Sequence, residues 1–165
     1  MKKNTFIYFL SLAFCLMIAA CSNKTSVKFF GVPLGESADD ALAYFEKTRE
    51  KTNVAYDKKK NSMVITLKNK EFYGVIFDKV NLNFQDEKLE EIRLESEDNY
   101  VSFNTLIKKL EQGKEYGKAY DVITTDWDVK AKKEFTGQGV VISLELYQSH
   151  YTYYSHIYVT ISREQ

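Results

Sequence analysis

Hydrophobic and polar positions change their period several times along this chain, and each change predicts an element. Phe6 to Ala20 is an apolar run interrupted by Ser11, behind the two cations Lys2 and Lys3. At about fifteen residues it is shorter than the roughly 20 that cross a bilayer, and its charged start and small-residue end have the layout of a secretory signal. Ala38, Ala41, Leu42, Phe45 and Thr48 then recur at helical spacing, predicting a helix to about Lys51 with one buried face. Ser37 can cap it, with Asp40 answering three residues on. Past Asn53 the period drops to two. Val54–Tyr56 and Met63–Leu67 read as strands, with turns at 57–61 and 68–70. Phe72, Gly74, Ile76, Val80, Leu82 and Phe84 share one parity, with Asp78 the exception, so a long strand bent at Gly74 or near Asp78 is expected. Leu89–Glu95 returns with Ile92 and Leu94 inward, and connections this short fit an antiparallel meander.

The pattern then begins again. Ser102 or Asn104 is placed to cap a second helix carrying Phe103, Leu106, Ile107 and Leu110 on one face, ending near Gly113 or Gly117. Strands are expected at 120–124, 129–135 and 140–147, the last two joined by a turn at Gly137-Gln138-Gly139. A final strand carries Ile157, Val159 and Ile161 on one side. The expected class is α+β: an antiparallel β-sheet with two helices packed on one face, arranged as two helix-plus-meander halves, 27–98 and 99–165, of one domain. Leu42 and Leu110 are candidate core leucines.

Bulk composition narrows the function classes. Lys plus Arg number 23 and Asp plus Glu 23, so the formal charge is zero, and losing Lys2 and Lys3 with a signal leaves a slightly acidic remainder. That balance gives no electrostatic reason to expect nucleic acid. Lys58-Lys59-Lys60 reads as a solvated turn flanked by Asp57. Both cysteines, Cys15 and Cys21, lie in or at the end of the apolar run, so a domain beyond them has no disulfide and no thiolate chemistry. An aromatic share of 15% supplies core material instead.

Ile18-Ala19-Ala20-Cys21 resembles the lipobox of bacterial lipoproteins. The resemblance implies a signal peptide at 1–20 that is removed, a lipidated Cys21, and a short tether at 21–26. It also implies a membrane partner through that lipid. Ser22, where an Asp would imply inner-membrane retention, points to the outer membrane; the absence of an acidic run after Cys21 points to its periplasmic leaflet. Further on, Gly31-Val32-Pro33-Leu34-Gly35, Phe72-Tyr73-Gly74 and Tyr116-Gly117 resemble the "G-[IV]-P-x-G", "F-x-G" and "Y-G" motifs of a group of uncharacterised small bacterial envelope lipoproteins. Trp127 follows the second helix here, whereas that group often carries a tryptophan before it. More distantly, the layout is similar to the small lipoproteins of outer-membrane assembly and to the β-lactamase-inhibitor-like repeat. Both of those groups act by binding proteins.

Reactive chemistry finds little support. His150 and His156 are the two histidines, too few for a metal site without other converging ligands. No nucleophile elbow or dinucleotide loop occurs, and the acidic pairs Asp86-Glu87 and Glu90-Glu91 fall on a turn and a strand's outer side. No cofactor, metal or catalytic residue is expected. Tyrosine is the one concentrated resource: Tyr147, Tyr151, Tyr153, Tyr154 and Tyr158 are five of the chain's 12. By parity Tyr147 and Tyr158 oppose the apolar face, which makes this hairpin the candidate binding surface for an envelope protein or glycan. The expected function is a lipid-anchored, non-enzymatic binding or scaffold module; a carrier for a small apolar or glycan ligand is the alternative, and an envelope hydrolase a third.

The anchor has a direct test. Cys21→Ser removes the thiol that would be lipidated and, with it, acyl chains that each hold by about 0.8 kcal/mol per buried methylene. The variant is expected to leave membranes in a high-salt wash; complete retention would contradict lipidation.

Overall fold

A computed structural model describes residues 27–97, 100–124, 128–148 and 155–164. The expected signal, Cys21 and the expected tether lie outside these residues, as do Trp127, Tyr151, Tyr153 and Tyr154. A short hairpin, β1 (Lys28–Phe29) and β2 (Val32–Pro33), leads to helix α1 (Ala38–Lys47). Then come β3 (Asn53–Asp57), β4 (Ser62–Phe72), β5 (Val75–Gln85) and β6 (Lys88–Glu97). Helix α2 (Tyr100–Gly113) is followed by β7 (Tyr120–Asp121), β8 (Val129–Gly137), β9 (Val140–Gln148) and β10 (Ser155–Arg163).

The expected α+β class is corrected by this content. Described residues are 56% strand and 18% helical, so the molecule is mostly β: an 8-stranded antiparallel sheet, a 2-stranded sheet and two helices. Extended β4 and β5, 11 residues each, hold much of that excess. The sequence pattern closed the first of these strands too early, at Leu67.

Strand order is β3-β4-β5-β6-β10-β9-β8-β7. Each meander runs outward to inward, and the last strands of the two meet at the centre. There β6 and β10 pair antiparallel from Glu97 opposite His156 to Glu91 opposite Ser162. Registers align an apolar row across six strands: Ile65, Leu82, Ile92, Ile161, Ile142 and Phe135. All six are fully buried. Beside it, Leu67, Val80, Leu94, Val159 and Leu144 form a second row. Ala38, Ala41 and Phe45 of α1 and Phe103, Leu106 and Leu110 of α2 join the same core cluster. The helices therefore cover this one face, removing its apolar area from water.

Local chemistry explains the element ends. Ser37 caps α1, its hydroxyl oxygen accepting from the Asp40 N–H at 3.1 Å. Helix α1 stops at Lys47 because Arg49 takes a left-handed φ of 57°, earlier than expected. Helix α2 starts at Tyr100, so Ser102 and Asn104 lie inside it and neither is its N-cap. The expected turn at 68–70 is absent; β4 continues to Phe72, and the chain reverses at Tyr73-Gly74, both at positive φ (49° and 82°). Paired positive φ values give the hairpin turn that matches sheet twist. Asn69, also at positive φ (53°), and Asp78 across from it are missing from the β4–β5 pairs, whose register is the same on either side, and the inward parity shifts there on both strands. Phe77 is consequently buried and Ile76 is 62% exposed, the reverse of the single-parity expectation.

The glycines of Gly31-Val32-Pro33-Leu34-Gly35 have packing roles. Both have positive φ (88° and 84°). A Cβ on Gly31 would lie 2.1 Å from the Tyr44 ring, and one on Gly35 1.3 Å from Arg163 Nη2. The motif thus seats the first hairpin against α1 and against the end of β10.

Burial ranks the two candidate leucines. Leu110 is fully buried, whereas Leu42 only packs against the core's margin. Leu110→Ala is expected to cost about 2–5 kcal/mol, Leu42→Ala less, and Lys109→Ala close to nothing in urea unfolding. A Leu42 variant as damaged as the Leu110 one would contradict these helix faces.

Candidate functional site

Alternation that turns the apolar rows inward turns a polar face outward, and no described element covers that face. Thr66, Asn81, Arg93, Thr160, Ser143 and Glu134 follow one another across six strands. The next row is Lys68, Lys79, Glu95, Tyr158, Glu145 and Lys132. Toward the end where β9 and β10 are joined, Tyr147 faces His156.

Tyr147 and Tyr158 lie diagonally across β9 and β10, rings 5.1 Å apart at 85°, an edge-to-face pair. His156 stacks near Tyr158 at 6.2 Å and 25°. Together with Arg93, Glu145 and Thr160 the two tyrosines line a shallow depression of about 320 Å³, at the small end of the roughly 300–1,000 Å³ of ligand pockets. The sheet thus brings together two of the five tyrosines singled out in the sequence.

Electrostatics around the depression are paired. Lys132 bonds Glu145 at 2.7 Å and approaches Glu134 at 3.7 Å. The Glu145 hydrogen bond is the largest reason that the Lys132 pKa is raised, with burial opposing it. Tyr158 is also raised, first by burial and then by the charge of Glu95, which faces it across the β6–β10 seam. Two buried polar atoms on this face, Ser143 Oγ and His156 Nδ1, have no hydrogen-bond partner among the described residues. Arg93, Glu95, Ser143 and Thr160 were not singled out in the sequence. Their outward parity was visible there, but the adjacency of β6 and β10 that gathers them was not.

No protein-family model, no curated protein and no solved structure matches this chain. Function is therefore read from the site itself. Among the described residues no three His, Cys, Asp or Glu side chains group as they would around a metal ion. No described helix is long and apolar enough to cross a membrane.

Lys28 pairs with Pro33, and just beyond, Gly35 N–H donates to Leu89 O at 2.7 Å. Phe29 and Phe30 of this hairpin reach Phe72 near the β4–β5 turn, whereas the loop after the hairpin lies beside the β5–β6 turn. Tyr147, opposite His156, lies toward the other end of the sheet, where Glu97 closes the β6–β10 pairing.

The Tyr158 environment makes a spectroscopic prediction. Its phenol is expected to ionise above the ordinary tyrosine range. Glu95→Gln should lower that transition only in part, because burial is the larger cause. Stability should fall as pH rises past the unfolded tyrosine value of about 10, since the folded state holds the proton longer. An unshifted transition in the Glu95 variant, followed by ultraviolet absorbance against Tyr158→Phe, would contradict this contact.

Proposed function

We propose that this chain is a lipid-anchored, non-enzymatic binding module of the bacterial envelope. Cys21 would hold it to the periplasmic leaflet of the outer membrane, and a partner protein would dock on the open face of its sheet. The observation that carries the reading is the Tyr147–Tyr158 pair set in a depression on the uncovered face, beside Arg93. Tyrosine and arginine are the residues enriched where proteins meet, and a central aromatic anchor ringed by polar groups is the usual energetic layout.

The test is a cross-linked pull-down from membranes that compares wild type with Tyr147→Ser/Tyr158→Ser and, separately, Arg93→Ala. An edge-to-face pair contributes about 0.5–1.5 kcal/mol beyond burial, so the double variant should melt several degrees lower yet remain folded. Partner recovery should be lost in it and weakened in Arg93→Ala. Unchanged recovery by both folded variants would place the docking surface elsewhere. Saturable binding of a glycan in place of any protein would favour the carrier reading.

A further inference from the structure

A second depression lies toward the β3 edge of the sheet, away from the tyrosines, and its chemistry is different. It has a volume of about 460 Å³ and is lined by the chain from Arg49 to Asn53 and by Thr66, Lys68 and Asn69 of β4. Its shape follows from how α1 ends. Arg49 at positive φ closes the helix, its N–H donating to Glu46 O and that of Glu50 to Phe45 O. The chain then turns beside β4, and Asn53 starts β3 opposite Thr66.

Charge in this lining is one-sided. Arg49, Lys51 and Lys68 are cations that have no ion pair among the described residues, whereas Glu50, the single carboxylate of the lining, is held by Lys70. Lys70 itself is not part of the lining. The remaining residues, Thr52, Asn53, Thr66 and Asn69, are uncharged and polar. The sheet adds an independent indication. Lys68 stands directly opposite Lys79 on β5. Like charges directly opposite in a sheet are destabilising. On its other side Lys79 meets Glu95, which leaves Lys68 as the unbalanced member. An anion in the depression would neutralise it.

We propose that this depression is an anion site that takes a phosphoryl group, gripped by the Arg49 guanidinium with Lys51 and Lys68 as flanking charges. Three cations suit a group of more than one negative charge better than a single carboxylate. A guanidinium fork also matches two oxygens of a phosphate. The uncharged amides and hydroxyls of the rim supply further hydrogen bonds. The site is separate from the tyrosine platform and does not depend on the docking function proposed for it.

Isothermal titration of the full-length protein tests it with two soluble probes of more than one negative charge, inorganic pyrophosphate and glycerol 3-phosphate. Wild type should bind at least one of them saturably, one per chain. The preferred probe then identifies the source, a free inorganic phosphate for the first and a phosphomonoester lipid headgroup for the second. Arg49→Gln/Lys51→Gln/Lys68→Gln should lose about tenfold or more in affinity. All three side chains are exposed, so melting should be unchanged. Lys58→Gln/Lys59→Gln/Lys60→Gln is the control. That turn follows the far end of β3, roughly 13 Å along the strand and beyond a Debye length, so affinity should stay within about twofold. Absence of saturable heat with both probes would overturn the site. Equal losses in the two triple variants would also overturn it, because they would reduce the binding to general surface charge.

Discussion

Everything in this molecule depends on one continuous apolar surface, the inner face of the eight-stranded sheet. Its continuity is made at the β6–β10 seam, where Ile92 meets Ile161 and Leu94 meets Val159. Without that seam each meander would offer a four-stranded sheet with one helix, an apolar centre exposed at its edge, and a free inner strand open to foreign pairing. With it, both helices close over a single core. Fully burying each large aliphatic side chain is worth about 1.5–3 kcal/mol before entropy, and the described residues contain no disulfide to share the task. The partners at the seam are far apart in sequence, so its loop-closure entropy must be met before the core repays it.

The same alternation that builds the core determines the chemistry of the other face. Every inward Ile or Leu of β6, β9 and β10 commits its neighbour to the outside. Arg93 is outward because Ile92 and Leu94 are inward, and Tyr158 and Thr160 because Ile157, Val159 and Ile161 are. Strand order then decides which of these outward residues meet. Glu95 and Glu145 flank Tyr158 from opposite sides, and Lys132 balances Glu145. Burial, then the charge of Glu95, raises the Tyr158 pKa, and the Glu145 hydrogen bond raises that of Lys132 against its burial; Ser143 Oγ and His156 Nδ1 stay without a partner among the described residues.

Much of this was legible from residue order, and the rest was hidden for definite reasons. The buried faces of α1 and α2 follow a 3.6 period, and the inward sets of β9 and β10 a period of two, neither of which needs tertiary knowledge. The stretch Lys68–Lys70 looks like a turn because three polar residues follow one another; Lys68 and Lys70 stay in the same register, and only Asn69 and the Asp78 across from it go unpaired. That unpaired position reverses the side-chain parity on both strands without a shift of register and puts Phe77 inside in place of Ile76, which no fixed period of two can anticipate. Ser102 and Asn104 looked like caps because their side chains suit a helix start, but the helix begins at Tyr100. The class was misjudged because strand length, not helix number, dominates the content. The candidate site was half legible: Tyr147 and Tyr158 stand out by composition, while Arg93 and Glu95 reach them only through a pairing between distant segments. Residues whose effect depends on the Arg49 turn were equally hidden, since a left-handed arginine leaves no mark in the sequence.

The most direct test of the account is a single-cysteine scan of β10 in a Cys15→Ser/Cys21→Ser background, which otherwise holds no thiol. Val159→Cys and Ile161→Cys are predicted to resist a water-soluble thiol reagent in the native protein and to react fully in urea. Thr160→Cys and Ser162→Cys are predicted to react in the native state. Alternating protection would establish β10 as a strand with one buried and one open face. Uniform reactivity along the strand, or protection at 160 and 162 instead, would contradict the sheet on which the core and both sites depend.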